Sequence, residues 1–249
     1  MENVVASQRE PVFSRVAAAT SSWSSLPAKS SRLSLRRALR GAAQYTARTA
    51  DRLHGWSVQR HLKQCGLGHA VSIATWTSKA ELYALYDLGL QCPPRALALE
   101  IGSYLGASTC YLAAGLSHGG GRLICVDTWQ NQTMPEGERS TFEEFSANTR
   151  GVADMITPIR KRSDELCAAD VHSPIALAFI DGDHSYHAVK EDFERIVPML
   201  APDGIIAFHD AISYGGVSRV IGEALASGHW LAAGHVQNLF WIKPVICTK

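Results

Sequence analysis

At four places in this 249-residue chain, ionisable residues directly follow an apolar run. Glu100-Ile101-Gly102-Ser103-Tyr104-Leu105-Gly106 follows ALAL, and Asp127 closes LICV. Asp181-Gly182-Asp183-His184 follows IALAFI, and His209-Asp210 follows GIIAF. In the first loop, Gly102 and Gly106 allow a tight turn and a close backbone approach to a ligand. The helix expected after it offers free N–H groups to a carboxylate or phosphate, with Ser108 and Thr109 in its first turn. The spacing is not G-x-G-x-x-G, so a nicotinamide or flavin dinucleotide fits poorly. Asp127 can accept both hydroxyls of a ribose, as acids at this place do for adenosine cofactors. Asp181, His209 and Asp210 form a candidate set for a divalent ion. The carboxylates suit Mg²⁺, whereas the histidine favours Mn²⁺, Fe²⁺ or Zn²⁺. The alternative is a hydrogen-bonded polar cluster without metal.

These positions need strands to carry them. ALALEI (96–101), LICVD (123–127), ITPI (156–159), IALAFID (175–181) and GIIAFHD (204–210) read as buried strands. Helical patterns lie near 106–116, 141–150, 163–169, 185–199 and 216–226. Continuous apolar strands separated by helices indicate a parallel sheet covered on both faces. HWLAAGHV and NLFWIKPV have no helix between them and read as a terminal hairpin. The expected fold is therefore α/β, a Rossmann-like doubly wound sheet of seven mostly parallel strands with a C-terminal antiparallel hairpin. In such sheets ligands bind at the carboxyl ends of the strands, where all four polar clusters fall.

Before this domain (93–249) the chain reads as a disordered, basic, Ser/Ala-rich tail (1–34) and a helical extension or lid (35–92). In the latter, Ser78-Lys79-Ala80-Glu81 is a capping box opening a helix that stops before Cys92-Pro93-Pro94. Arg36, Arg40, Arg48 and Arg52 share one face of the extension, a solvated face or a contact for an anionic partner. Residues 1–63 carry a net charge of +8 and the remainder −7. An acidic body argues against a nucleic-acid substrate. The six cysteines form no C-x-x-C pair and read as reduced, buried thiols. That places the chain in the cytoplasm, with organellar import through the basic segment as the alternative. No run approaches the ~18 apolar residues of a membrane span. A homo-oligomer is compatible with the sequence.

The blocks ALEIGSYLGAST, GRLICVDTW, FIDGDHSYHAVKEDF and PMLAPDGIIAFHD resemble the class I S-adenosylmethionine-dependent methyltransferases over roughly residues 96–226. The likeness is to the family with an EIG…GxS, IDGDHxY and HD series, similar to metal-dependent small-molecule and sugar O-methyltransferases. Asp203 stands where that family usually has glycine, and His209 where the metal-dependent enzymes carry an acid. The resemblance implies S-adenosylmethionine as cofactor, with Glu100, Gly102, Ser103, Gly106 and Ser108 around its methionine part. It places Asp127 at the ribose, Trp129 and Ser163-Asp164 near the adenine, and Asp181 at both cofactor and acceptor. His184 occupies the position of the relatives' general base, and an imidazole there can take a hydroxyl proton as the methyl group arrives. The implied acceptor is a hydroxyl of a sugar, phenol or natural-product intermediate, with the polar stretch 129–145 as a cover. Methylation at nitrogen, a macromolecular substrate guided by the basic arm, and a noncatalytic scaffold are the alternatives.

Overall fold

The computed structural model describes residues 49–131 and 137–246. The tail, most of the basic face, Cys247 and the centre of the expected cover lie outside the described residues. The chain divides into two compact units, 1–52 and 53–249. Of the first only 49–52 are described, and they are helical. All that follows concerns the second.

The second unit is built on one seven-stranded sheet in the order β3-β2-β1-β4-β5-β7-β6. Its strands are β1 (Leu97–Ile101), β2 (Arg122–Asp127), β3 (Ile156–Arg160), β4 (Ile175–Ile180), β5 (Leu200–Phe208), β6 (Trp230–Val236) and β7 (Leu239–Pro244). The first five are parallel, and β7 runs antiparallel to both β5 and β6. The expected strands and hairpin are thus present. β5 starts at Leu200, earlier than the pattern indicates, because the pairing with β4 jumps from Ile175↔Leu200 to Leu177↔Ile205 and absorbs Pro202-Asp203-Gly204 as an irregularity.

Helices cover both faces. Residues 53–64 are helical (α1), followed by α2 (Lys79–Gln91), α3 (Ala107–Ser117), α4 (Phe142–Asn148), α5 (Tyr186–Ile196) and α6 (Gly215–Ala226). On one face, α1 to α3 bury Val58, Leu62, Leu85, Tyr111 and Leu112 against Leu123, Cys125, Leu177 and Phe179. On the other, Val189, Ile196, Val217 and Ile221 of α5 and α6 cover Leu99, Ile101, Ile124 and Ile180. Alternation along β1 therefore sends Leu99 and Ile101 toward α5 and α6, and Ala98 and Glu100 toward α3. The helix expected over 163–169 is replaced by two 3₁₀ turns, Ser163–Glu165 and Ala168–Asp170. That stretch, SDELCAA, buries only Leu166, too little apolar surface to hold a helix on the sheet.

The helix closed by Cys92-Pro93-Pro94 is no loose extension. α2 begins in the expected capping box and buries Leu82, Leu85, Tyr86 and Leu88. It meets α3 so closely that a Cβ on Gly115 would stand 2.2 Å from the Tyr86 carbonyl oxygen. Gly222, on the exposed side of α6, has nothing within 4 Å of such a carbon. Gly115→Ala is therefore expected to lower stability by about 1–3 kcal/mol through forced separation of α2 and α3. Gly222→Ala is expected to raise it by about 0.5–1 kcal/mol through helix propensity. Urea unfolding of the two variants checks both signs.

Candidate active site

The strand order reverses between β1 and β4, and the loops at their carboxyl ends part there to leave a crevice. A cavity of about 940 Å³ opens at this point, lined by the first loop, the ends of β2 and β4, and residues 161–164, 209–210 and 213–214. Residues 74–77, leading into α2, form a further wall. Every polar cluster singled out in the sequence has at least one residue on this cavity.

The first loop is shaped by two carboxylates. Asp127 Oδ2 accepts the backbone N–H groups of Ser103 and Tyr104, each at 2.9 Å, and its Oδ1 accepts that of Trp129 at 2.7 Å. Glu100 is fully buried and accepts the hydroxyls of Ser103 (2.8 Å), Ser108 (2.7 Å) and Thr109 (2.5 Å). Gly102 has φ +85°, and a Cβ there would lie 2.1 Å from the Asp181 carbonyl oxygen. The loop after β1 thus rests on the loop after β4, backbone against backbone.

Not every expected cofactor contact reaches the cavity. Gly102, Ser103, Ser108, Asp127, Ser163, Asp164 and Asp181 line it. Glu100 lies beneath, holding the loop from the α3 side of the sheet. Gly106 closes the turn as the left-handed N-cap of α3. Trp129 is fully buried, donates its ring N–H to the Tyr104 carbonyl at 3.0 Å, and packs on Phe142 and Phe145. These three residues shape the loop from behind.

At the ends of β4 and β5, Asp181, His184 and Asp210 bring one ligand atom each within 4.8 Å of one another. His184 Nε2 is 3.2 Å from Asp210 Oδ2 and 3.6 Å from Asp181 Oδ1, yet it is buried and makes no hydrogen bond. The Asp181 carboxylate raises the pKa of this imidazole against the effect of burial. The Tyr214 ring lies over it, 4.4 Å away and tilted by 30°. Asp210 is held at φ +55°, a strained backbone for a residue with a side chain. Asp183 accepts the N–H of Ser185 at 2.6 Å, and Ser185 caps α5, its hydroxyl accepting the Ala188 N–H at 3.4 Å.

His209, expected as a metal ligand, lies beside Asp181 and Asp210. It is 3% exposed, with Nδ1 3.0 Å from Asp181 Oδ1 and 3.4 Å from Asp210 Oδ2. Its Nε2 faces Glu81 Oε2 at 3.5 Å. Burial would lower its pKa, but Asp181 and Asp210 outweigh that and raise it to about 11. Both ring nitrogens thus face carboxylates, and the ligand atoms that lie within 4.8 Å of one another are those of Asp181, His184 and Asp210.

Glu81, Tyr214 and the wall at residues 74–77 carry no functional signal in the sequence. In the sequence Ser78 and Glu81 read as a capping box, and that local role gives no sign of a second one. The partner His209 lies 128 residues away, beyond any local pattern.

With this geometry in place, residues 99–211 match the model of a family described as a methyltransferase domain. The O-methyltransferase NovP superposes with a TM-score of 0.58 at 12% identity, over 69% of this chain and 82% of its own. An O-methyltransferase from Bacillus cereus in complex with S-adenosylhomocysteine gives 0.53 at 18% identity, over 75% and 91%. Cofactor-bound Rv0187 from MTB gives 0.54 at 18%, over 76% and 88%. A curated relative, the uncharacterized protein y4gI of Sinorhizobium fredii, is 31% identical over 121 residues, 47% of this chain. The match spans only 13% of that relative's length. Residues 99–211 are thus similar to a methyltransferase domain, on the fold of the three solved structures above. Among the described residues no helix is long and apolar enough to cross a membrane.

The buried Glu100 has a measurable consequence. Burial raises its carboxyl pKa, the hydroxyls of Ser108, Thr109 and Ser103 lower it, and the Asp181 charge adds to the rise, giving a value of about 7 against an ordinary 4.5. Between these values the native state binds more protons than the unfolded one, so this group makes stability fall as pH rises through the window. Glu100→Gln is expected to flatten that slope. Urea midpoints of both proteins from pH 4 to 8 check it, and parallel profiles would refute it.

Proposed function

We propose that this domain transfers the methyl group of S-adenosylmethionine to a hydroxyl of a small molecule. The observation that carries the reading is the shared cavity. The Gly102-Ser103 loop and Asp127 line one part of it, and the Asp181–His184–Asp210 trio lines another. Gly102, Ser103 and Ser108 suit the methionine part of the donor, Asp127 the ribose, and Ser163-Asp164 the adenine. The acceptor lies against the trio and the wall of Thr75, Trp76 and Thr77, beside Ser213 and Tyr214. The O-methyltransferases NovP and the Bacillus cereus enzyme, which share the fold, support oxygen as the methylated atom.

In the transfer, the hydroxyl oxygen forms a bond to the methyl carbon as the carbon–sulfur bond breaks. The sulfonium becomes a thioether, and the hydroxyl proton must leave. His184 Nε2 is buried at the cavity without a hydrogen bond, and we assign it as the proton acceptor. The sulfonium donor is already activated, so in-line positioning supplies most of the remaining rate.

The trio also fits a divalent cation. Two carboxylates and one unpartnered imidazole nitrogen are a donor set for Mg²⁺ or, with the histidine, Mn²⁺. Such an ion would lower the pKa of the acceptor hydroxyl. Asp181, His184 and Asp210 would hold it, and His184 is then a ligand instead of the base.

Calorimetric titration with S-adenosylhomocysteine tests the cofactor site. Micromolar binding is expected for the wild type. For Gly102→Ala, whose new carbon has no room beside Asp181, binding is expected to be lost. A wild-type protein that binds nothing would overturn the reading. Repeating the titration with Mg²⁺, with Mn²⁺ and with a chelator tells whether the trio holds an ion. Asp210→Asn is expected to abolish any metal effect while leaving cofactor affinity within about threefold.

A further inference from the structure

Glu81 stands on α2, outside the residues matched to the methyltransferase family, yet it is as buried as the centre of the sheet. Its side chain is 3% exposed. Its two oxygens meet three elements. Oε1 accepts the backbone N–H of Asn238, in the β6–β7 turn, at 2.7 Å. Oε2 accepts the Ser78 N–H at 2.7 Å and faces His209 Nε2 at 3.5 Å. The other ring nitrogen of His209 points at Asp181 and Asp210, the carboxylates that also flank His184. A capping box needs neither burial nor a distant histidine.

We propose that Glu81 is a positioning residue for the reactive trio, acting through His209. The imidazole is a rigid spacer gripped at both nitrogens. Glu81 holds one end and so fixes the angle at which the other presents its N–H to Asp181 and Asp210. Those two acids are thereby held near each other and near His184 Nε2, despite the repulsion between their charges. The Phe179 ring packs beside the spacer, its centroid 6.4 Å from that of His209 and the two planes at 74°. Through the Ser78 N–H, which directly follows the wall at residues 74–77, the same carboxylate ties that segment to the trio. The catalytic meaning of this rests on the methyl-transfer reading, whereas the chain of contacts stands independently of it.

The test uses the full chain with ¹⁵N-labelled histidine and long-range proton–nitrogen spectra at one pH. His184 and His209 are assigned with His184→Gln and His209→Gln. In Glu81→Gln the His209 Nε2–H meets no second carboxylate oxygen, so its slowly exchanging signal should vanish. The His184 ring signals should move as well, because the two rings share Asp181 and Asp210. Ser78→Ala removes the side-chain cap of α2 and the hydroxyl's bond to Gln237 while keeping the Glu81 carboxylate beside His209, and so controls for the cap and that turn contact. It should change neither set. The proposal is overturned if His184 is unmoved in Glu81→Gln, or if Ser78→Ala reproduces the changes. S-adenosylhomocysteine affinity is measured alongside. If the wild type fails to bind, the methyltransferase reading fails, while the spectra still decide the role of Glu81.

Discussion

One contact governs the site. At Gly102 the place of a side chain is taken by the Asp181 backbone, with an ideal Cβ only 2.1 Å from its carbonyl oxygen. Because β1 and β4 are adjacent parallel strands, their carboxyl-end loops emerge side by side. A side chain on the first loop would push them apart. Its absence lets the loop suited to the cofactor rest directly on the loop bearing the reactive acid. The distance between the two loops is thus set by main chain, the least adjustable part of the molecule.

Around this contact, buried charge is spent on geometry. Glu100 gives its oxygens to three hydroxyls below the first loop, and Asp127 gives its own to three backbone N–H groups. A buried carboxylate is costly unless it is hydrogen-bonded. Satisfied in this way, each one removes alternative loop conformations. His209 does the same for Asp181 and Asp210, two acids that would otherwise repel each other at close range. Glu100 acts from behind the residues that line the cavity, and His209 from among them.

The sheet was legible in the sequence because its signal is local. Each central strand is a short continuous apolar run ending in a polar cluster, and doubly wound topology puts those ends together. The positions of α3, α5 and α6 followed from apolar spacing and breakers. What could not be read depends on contacts far apart in the chain. The burial of Trp129 needs Phe142 and Phe145, and the join of Glu81 to His209 spans 128 residues. The 3₁₀ turns between β3 and β4 were misread as helix because propensity alone does not reveal how little of SDELCAA the sheet can bury. His209 reads as a ligand from its place at a strand end, and its contacts with Asp181, Asp210 and Glu81 are visible only in the fold.

The two borders of the sheet are unlike. β3 forms one, with Pro158 at its centre opposite Cys125. Proline has no N–H to give a further strand, and such residues blunt an edge. β6 forms the other border, and WLAAGHV contains no proline and leaves most of its residues exposed. Open-ended polymerisation by strand addition requires each copy to offer two receptive edges. A strand added at β3 would lack a donor at Pro158, so β6 is the border more open to a further strand.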